Sequence, residues 1–206
     1  MAVNSAAVNR CILDCAKIEF ASSGYHRTVV SDIADRAGVG KGTIYRRFGD
    51  KKGLFTAMLR QGIKDLEAGL RAALDDIASP EQNLETIINV FFDLSVHSHD
   101  LMEVIITEGT QLMGFEQGEL KGELDGVLRV IEGVLQQGFE QGCFRMQETA
   151  KMAFLLHRFL VSVLEGAVIF GYRPREVFGS LLRDVVFHGI GTKNPESEKL
   201  SKEISS

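Results

Sequence analysis

Proline is scarce in this chain of 206 residues, with only three, and cysteine equally so. So little proline argues against a turn-rich β architecture and for long helices. An odd set of three cysteines builds no disulfide framework, and a reducing cytoplasm is the expected setting. No stretch of 18 or more apolar residues runs free of charge, so no membrane partner is expected. Met1 to Arg10 lack the apolar run of a secretory signal. Strand alternation and internal repeats are missing too. No zinc-finger or metalloprotease spacing occurs, and no nucleophile elbow or triad-like motif, so no metal, no cofactor and no catalytic residue is expected.

What is present suffices for a core: 45% of residues are hydrophobic, 25% charged and 8% aromatic. The charge is uneven. Residues 1–60 hold 10 Lys and Arg against 5 Asp and Glu, a net +5, while residues 61–206 hold 13 against 23, a net −10. A basic head on an acidic body fits a head that meets a polyanion.

Apolar periodicity predicts helices almost throughout. The first runs from Asn4 to Ala21, with Val8, Ile12, Cys15, Ala16 and Phe20 on one face, and Ser22-Ser23-Gly24 ends it. Thr28 is expected to N-cap a short second helix carrying Val29, Ile33, Ala34 and Ala37. After Gly38-Val39, Gly40 to Phe48 forms a third, and Asp50 caps a long fourth helix reaching Ile77. The body continues with helices over Leu84–Ser98, Leu101–Leu112, Gln117–Gly142, Thr149–Gly171 and Pro174–Gly189. Thr192 to Ser206 read as a disordered tail.

The pair of short helices joined by Gly38-Val39 makes a helix-turn-helix. Its second helix must be apolar on one side and offer donors on the other to read a major groove. GVGKGTIYRRFGDK does this. Ile44 and Phe48 face inward, and Lys41, Thr43, Tyr45 and Arg46-Arg47 face outward, Arg47 being equally readable as a solvated side chain. Gly42 permits close approach to the duplex, and Lys51 and Lys52 sit at a helix start that favours phosphate. Phe20, Ile33, Ile44, Phe48, Leu54 and Phe55 are the expected head core. Gly-Lys-Gly-Thr fails the spacing of a nucleotide-binding loop.

Residues 8–59, with FASSGYHRTVVSDIADRAGVGKGTIYRRFGDKKGLFTAML at their centre, resemble the TetR family of bacterial transcriptional regulators. The resemblance implies an all-α fold of about nine helices. An N-terminal three-helix helix-turn-helix domain (1–50), linked by the helix at 50–78, precedes a helical effector-binding and dimerisation domain (51–191). It implies DNA contacts from Lys41, Thr43, Tyr45 and Arg46, and phosphate contacts from Arg27, Thr28 and Lys51. Gly40 stands where many relatives carry Ser or Thr, and so offers only its backbone N–H. The implied function is a repressor that binds double-stranded DNA at a palindromic operator as a homodimer. A small, largely apolar effector releases it.

In the body, Phe159, Val163, Phe178, Leu182 and Val186 are the expected dimer interface. Phe91, Phe92, Ile105, Glu108, Phe139, Phe154 and His157 are the expected effector pocket, with Ile106, Met113, Leu155 and Glu165 as further options. Cys11 and Cys15 are expected to pack inward as small hydrophobes, and Cys143 to be an exposed thiol. The histidines His97 and His99, near Asp100 and Glu103, read as a polar turn before a metal site. Two other classes compete with the regulator. A helical enzyme would need catalytic geometry in the body, and a DNA-binding adaptor would lack a cavity.

Overall fold

The computed structural model describes residues 5–97, 103–105, 120–145 and 147–189, and every long element among them is helical. In chain order they are α1 (Ser5–Arg27), α2 (Val30–Arg36), α3 (Lys41–Phe48), α4 (Lys51–Ala73), α5 (Pro80–His97), α6 (Lys121–Glu140), α7 (Thr149–Phe170) and α8 (Pro174–Arg183). Wider π-type turns at Asp184–His188 extend α8. The expected helix over Leu101–Leu112 is described only at 103–105, and the tail at 192–206 lies outside the described residues.

Two apolar clusters organise the chain. The head cluster joins Ile12, Ala16, Phe20, Tyr25, Val30, Ile33, Ile44, Leu54, Phe55, Met58 and Leu59. Val104 and Leu120, from the body sequence, pack into the same cluster. The body cluster runs from Leu70 through α5, α6, α7 and α8 to Val186. Helix α4 belongs to both: Leu54 to Leu59 face the head core, Leu70 faces the body core, and Ile63 packs on each.

Four local expectations change. Helix α1 is longer than expected, but Gly24 breaks it at φ 75°, a conformation that favours a residue without Cβ. Thr28 does not cap α2; Val29 holds that position and makes no side-chain cap. Helix α4 ends at Ala73 rather than Ile77, because Leu74 turns extended, and Ile77 is 95% exposed. Phe48 is half-buried at the edge of the head cluster rather than in its centre.

Helix α7 is 22 residues long and has an 18-residue window of mean hydropathy 1.8, enough by length and composition to cross a membrane. Its ridge of Ala153, Leu156, Leu160, Val163, Leu164 and Ala167 is buried against the rest of the body.

Candidate nucleic-acid interface and effector site

Helix α3 has eight residues and includes Gly42, so packing has to hold it. Ile44 is its one buried residue, set among Phe20, Ile33, Leu54 and Phe55. Tyr25 stacks on Phe20 at 5.7 Å between centroids and meets Phe55 edge-on at 5.1 Å, completing an aromatic floor. The sequence reading missed Tyr25. It lies beyond the Ser-Ser-Gly break and returns to the core only because Gly24 kinks the chain.

Gly38, at φ 65°, makes the turn between α2 and α3, and Val39 N–H closes it onto the Ala34 carbonyl at 3.0 Å. Asp50 caps α4 by accepting from Gly53 N–H at 2.7 Å. Gly53 matters for a second reason: a Cβ there would collide with the Phe48 carbonyl oxygen, so the end of α3 packs directly on the start of α4.

This frame leaves Lys41, Gly42, Tyr45 and Arg46 exposed on one side of α3, with Thr43 half-exposed and Gly40 exposed as its N-cap. Lys41 Nζ lies 5.8 Å over the Tyr45 ring. Arg47 departs from that face. Its Nη1 donates to Asn9 Oδ1 at 2.6 Å and Ser5 Oγ at 2.9 Å, so it clips α3 to the start of α1.

Ion pairs shape the positive surface. Arg10 forms a fork with Asp65 at 2.8 and 2.9 Å, Arg36 meets Glu19 at 2.6 Å, and Arg60 meets Glu123 on α6 at 2.9 Å. Arg27, Lys41, Arg46 and Lys52 have no carboxylate partner among the described residues. Two of these, Lys41 and Arg46, lie on α3, and Arg27 and Lys52 flank the helix-turn-helix on α1 and α4.

Two expected phosphate contacts are engaged within the chain. Thr28 is buried, and its hydroxyl donates to the Gly24 carbonyl at 2.7 Å; it fastens the kink instead of facing outward, which corrects its assignment. Lys51 donates to the His26 carbonyl at 3.0 Å and sits 4.7 Å over the Tyr25 ring, half-buried at the mouth of α4. Arg27 is exposed, with Nε on the Ser23 carbonyl at 2.9 Å.

In the body, the structure joins two of the expected pocket residues and scatters the others. Phe91 and His157 meet edge to face at 5.9 Å, both buried. Burial pushes the His157 imidazole down to about 4, with Arg158 adding to the effect, so the ring is neutral near pH 7. Phe92 is buried and Arg175 sits 6.0 Å over it. Ile105 packs toward the head cluster, Phe139 is half-buried and Phe154 is 52% exposed, so these three share no interior wall with Phe91. Glu108, Ile106 and Met113 lie outside the described residues, as do His99, Asp100 and the side chain of His97. Phe154 and Leu155 instead line an open surface depression of about 460 Å³ with Ala150 and Lys151.

The interface expectation also needs correction. Val163, Leu182 and Val186 are buried inside the protomer, and Phe178 is half-buried beside Tyr172. Phe159 remains exposed, and Leu155, Ile169, Phe170, Val177, Leu181 and Val185 are more than half exposed on the same two helices. Periodicity identified the apolar helices but could not say which stripe each spends internally. Of the thiols, Cys15 is half-buried and packs against the head cluster as expected, whereas Cys11 is exposed and Cys143 is half-buried beside Glu81.

The family model described as "Bacterial regulatory proteins, tetR family" matches residues 12–58. The chain is similar to the HTH-type transcriptional repressor KstR2 of Rhodococcus jostii (strain RHA1), 31% identical over 176 residues, 85% of this chain and 83% of that protein. It is also similar to the fatty acid metabolism regulator protein of Bacillus subtilis (strain 168), 28% identical over 131 residues, 64% of this chain and 68% of that one. Among solved structures, the transcriptional regulator FadR from Bacillus subtilis in complex with stearoyl-CoA superposes with a TM-score of 0.70. That match covers 88% of this chain and 98% of the other at 22% identity, a likeness of fold.

Proposed function

Because the chain belongs to the tetR family of bacterial regulatory proteins, and is a transcriptional regulator and not an enzyme, we propose that it represses transcription by binding a palindromic operator as a homodimer. The observation that carries this reading is the composition of α3. Ile44 is buried, Phe48 packs at the edge of the head cluster, and Lys41, Tyr45 and Arg46 are exposed on the opposite side. A helix built that way presents donors to base edges and phosphates.

Two heads reading a palindrome sit about 34–36 Å apart, one turn of duplex. The exposed apolar stripe of α7 and α8, with Leu155, Phe159, Val177, Leu181 and Val185, supports a four-helix junction between protomers. The domain division follows: a head ending near the start of α4, and a body that dimerises and senses.

The effector we propose is a long-chain acyl thioester that binds the body and releases the operator. Stearoyl-CoA occupies the related Bacillus subtilis FadR. Here Phe91 and the neutral His157 lie packed in the body core, apolar surroundings that support an acyl chain once the core opens to admit it. Coupling of ~1–3 kcal/mol between the two sites would weaken operator binding roughly 5–150-fold.

The test is selection of duplexes from a fragmented genome by the purified protein at low ionic strength. Sedimentation and titration with stearoyl-CoA against acetyl-CoA complete it. A dimer, an enriched palindrome and release by the long chain alone are expected. A monomer that enriches no duplex would overturn the repressor reading, and equal operator affinity with and without both thioesters would overturn the effector.

A further inference from the structure

We propose that Cys11 and Cys15 form a two-thiolate site for a soft, two-coordinate cation of the Cu(I) class on α1, beside the end of α2. The two residues are four apart on α1, which puts their Cβ atoms about 5–6 Å apart on one face. Cys11 is exposed and Cys15 half-buried, so a cation reaches the first sulfur from solvent and the second lies beside it. Burial first, and then the neighbouring Cys11 sulfur, raise the Cys15 thiol above its ordinary value, so loading has to displace a held proton.

The spacing selects the ligand. A disulfide needs Cβ atoms about 3.5–4.5 Å apart, which this turn of helix gives only by distorting. A cation held between two sulfurs at about 2.3 Å each needs the sulfurs no more than roughly 4.6 Å apart, a separation that the side chains reach by rotation. Coordination number selects further. Among the described residues no three of His, Cys, Asp and Glu converge, so a tetrahedral zinc set is not assembled here. Two soft sulfurs without a third ligand match a soft monovalent ion.

The charge balance is local. Loading exchanges two thiol protons for one cation, releases both protons to solvent and leaves a complex of net −1. Arg36 favours negative charge at Cys15 and Asp14 opposes it. The Cys11 sulfur also lies 4.0 Å from the Ala37 carbonyl, the residue before the Gly38 turn, so the site borders the helix-turn-helix itself. Cys143 belongs to the body, where its thiol faces Glu81, and serves as the internal control.

The experiment is an anaerobic titration of the full chain with Cu(I) delivered from a chromophoric chelator of known affinity. The parent, Cys143→Ser, Cys11→Ser and Cys15→Ser are compared, each checked for unchanged helix content by far-ultraviolet circular dichroism. The expected result is one Cu(I) per chain in the parent and in Cys143→Ser. Loss of either head thiol should weaken binding by ~100-fold or more, the penalty for losing chelation. Single variants that hold Cu(I) as tightly as the parent, or binding that disappears in Cys143→Ser alone, would overturn the site.

Discussion

Replacing Ile44 by alanine tests the claim that this residue is the main anchor of the recognition helix. Ile44 is 1% exposed, and its neighbours Phe20, Ile33, Leu54 and Phe55 are fully buried. Such a packed surround relaxes little, so the cost falls in the upper part of the range for truncating isoleucine, about 3–5 kcal/mol. Domains are held by only about 5–15 kcal/mol in total, and a small head lies toward the lower end. The loss should therefore open the head while the body, with its own cluster, stays folded. Hydrogen exchange reads this directly. Amides of α2, α3 and the first turns of α4 should lose protection by about two to four orders of magnitude, while those of α6 and α7 keep theirs. Apparent duplex affinity should fall with the folded fraction of the head. Tyr45→Ala is the counterpart: it should weaken duplex binding and leave exchange unchanged, because Tyr45 is exposed. If Ile44→Ala costs less than ~1 kcal/mol in the head, some other contact holds α3.

Gly53→Ala should destabilise the head by more than ~1 kcal/mol in urea titrations, despite alanine's better helix propensity, because the new Cβ meets the Phe48 backbone oxygen. His157 binds its proton near 6.5 in the unfolded chain and only at about 4 in the folded one, so acid favours unfolding. Body stability should be complete above pH 6.5 and fall by up to ~1.4 kcal/mol per pH unit from 6.5 down to 4; His157→Gln should flatten that limb, and an identical limb in both proteins would refute the assignment. Lys41→Ala should weaken binding to all duplexes and reduce the slope of log affinity against log salt by about 1 if Lys41 meets a phosphate. Leu181→Glu should leave the protomer folded and shift sedimentation toward monomer, since the residue is 52% exposed on the stripe assigned to the junction.

Much of the head was legible from the chain alone. Gly38, the Ile44 anchor, the Asp50 cap and the donors of α3 are local signals, because each depends on residues within one or two turns. The same holds for the all-helical plan, which follows from scarce proline and a persistent apolar period near 3.6. Where reading failed, a distant partner decided. Tyr25 joins the core because Gly24 kinks the chain, and Thr28 closes that kink with its hydroxyl. Arg47 is drawn to Ser5 and Asn9, some forty residues away in sequence. Cys11, apolar enough for the interior, faces solvent, while Ile12 and Ala16 of the same helix are buried.

The body shows the limit most clearly. Hydropathy marks α7 and α8 as helices with more apolar surface than one side can hide. Which half is hidden depends on how the helices are rotated against α5 and α6. That rotation buries Val163, Leu182 and Val186 and leaves Phe159, Leu181 and Val185 outside. Sequence therefore determined which segments are helices and which short helix carries the donors, since period, caps and turns are set by neighbours along the chain. Only the tertiary structure decided which face each helix spends on its own core, because burial is a property of what lies opposite.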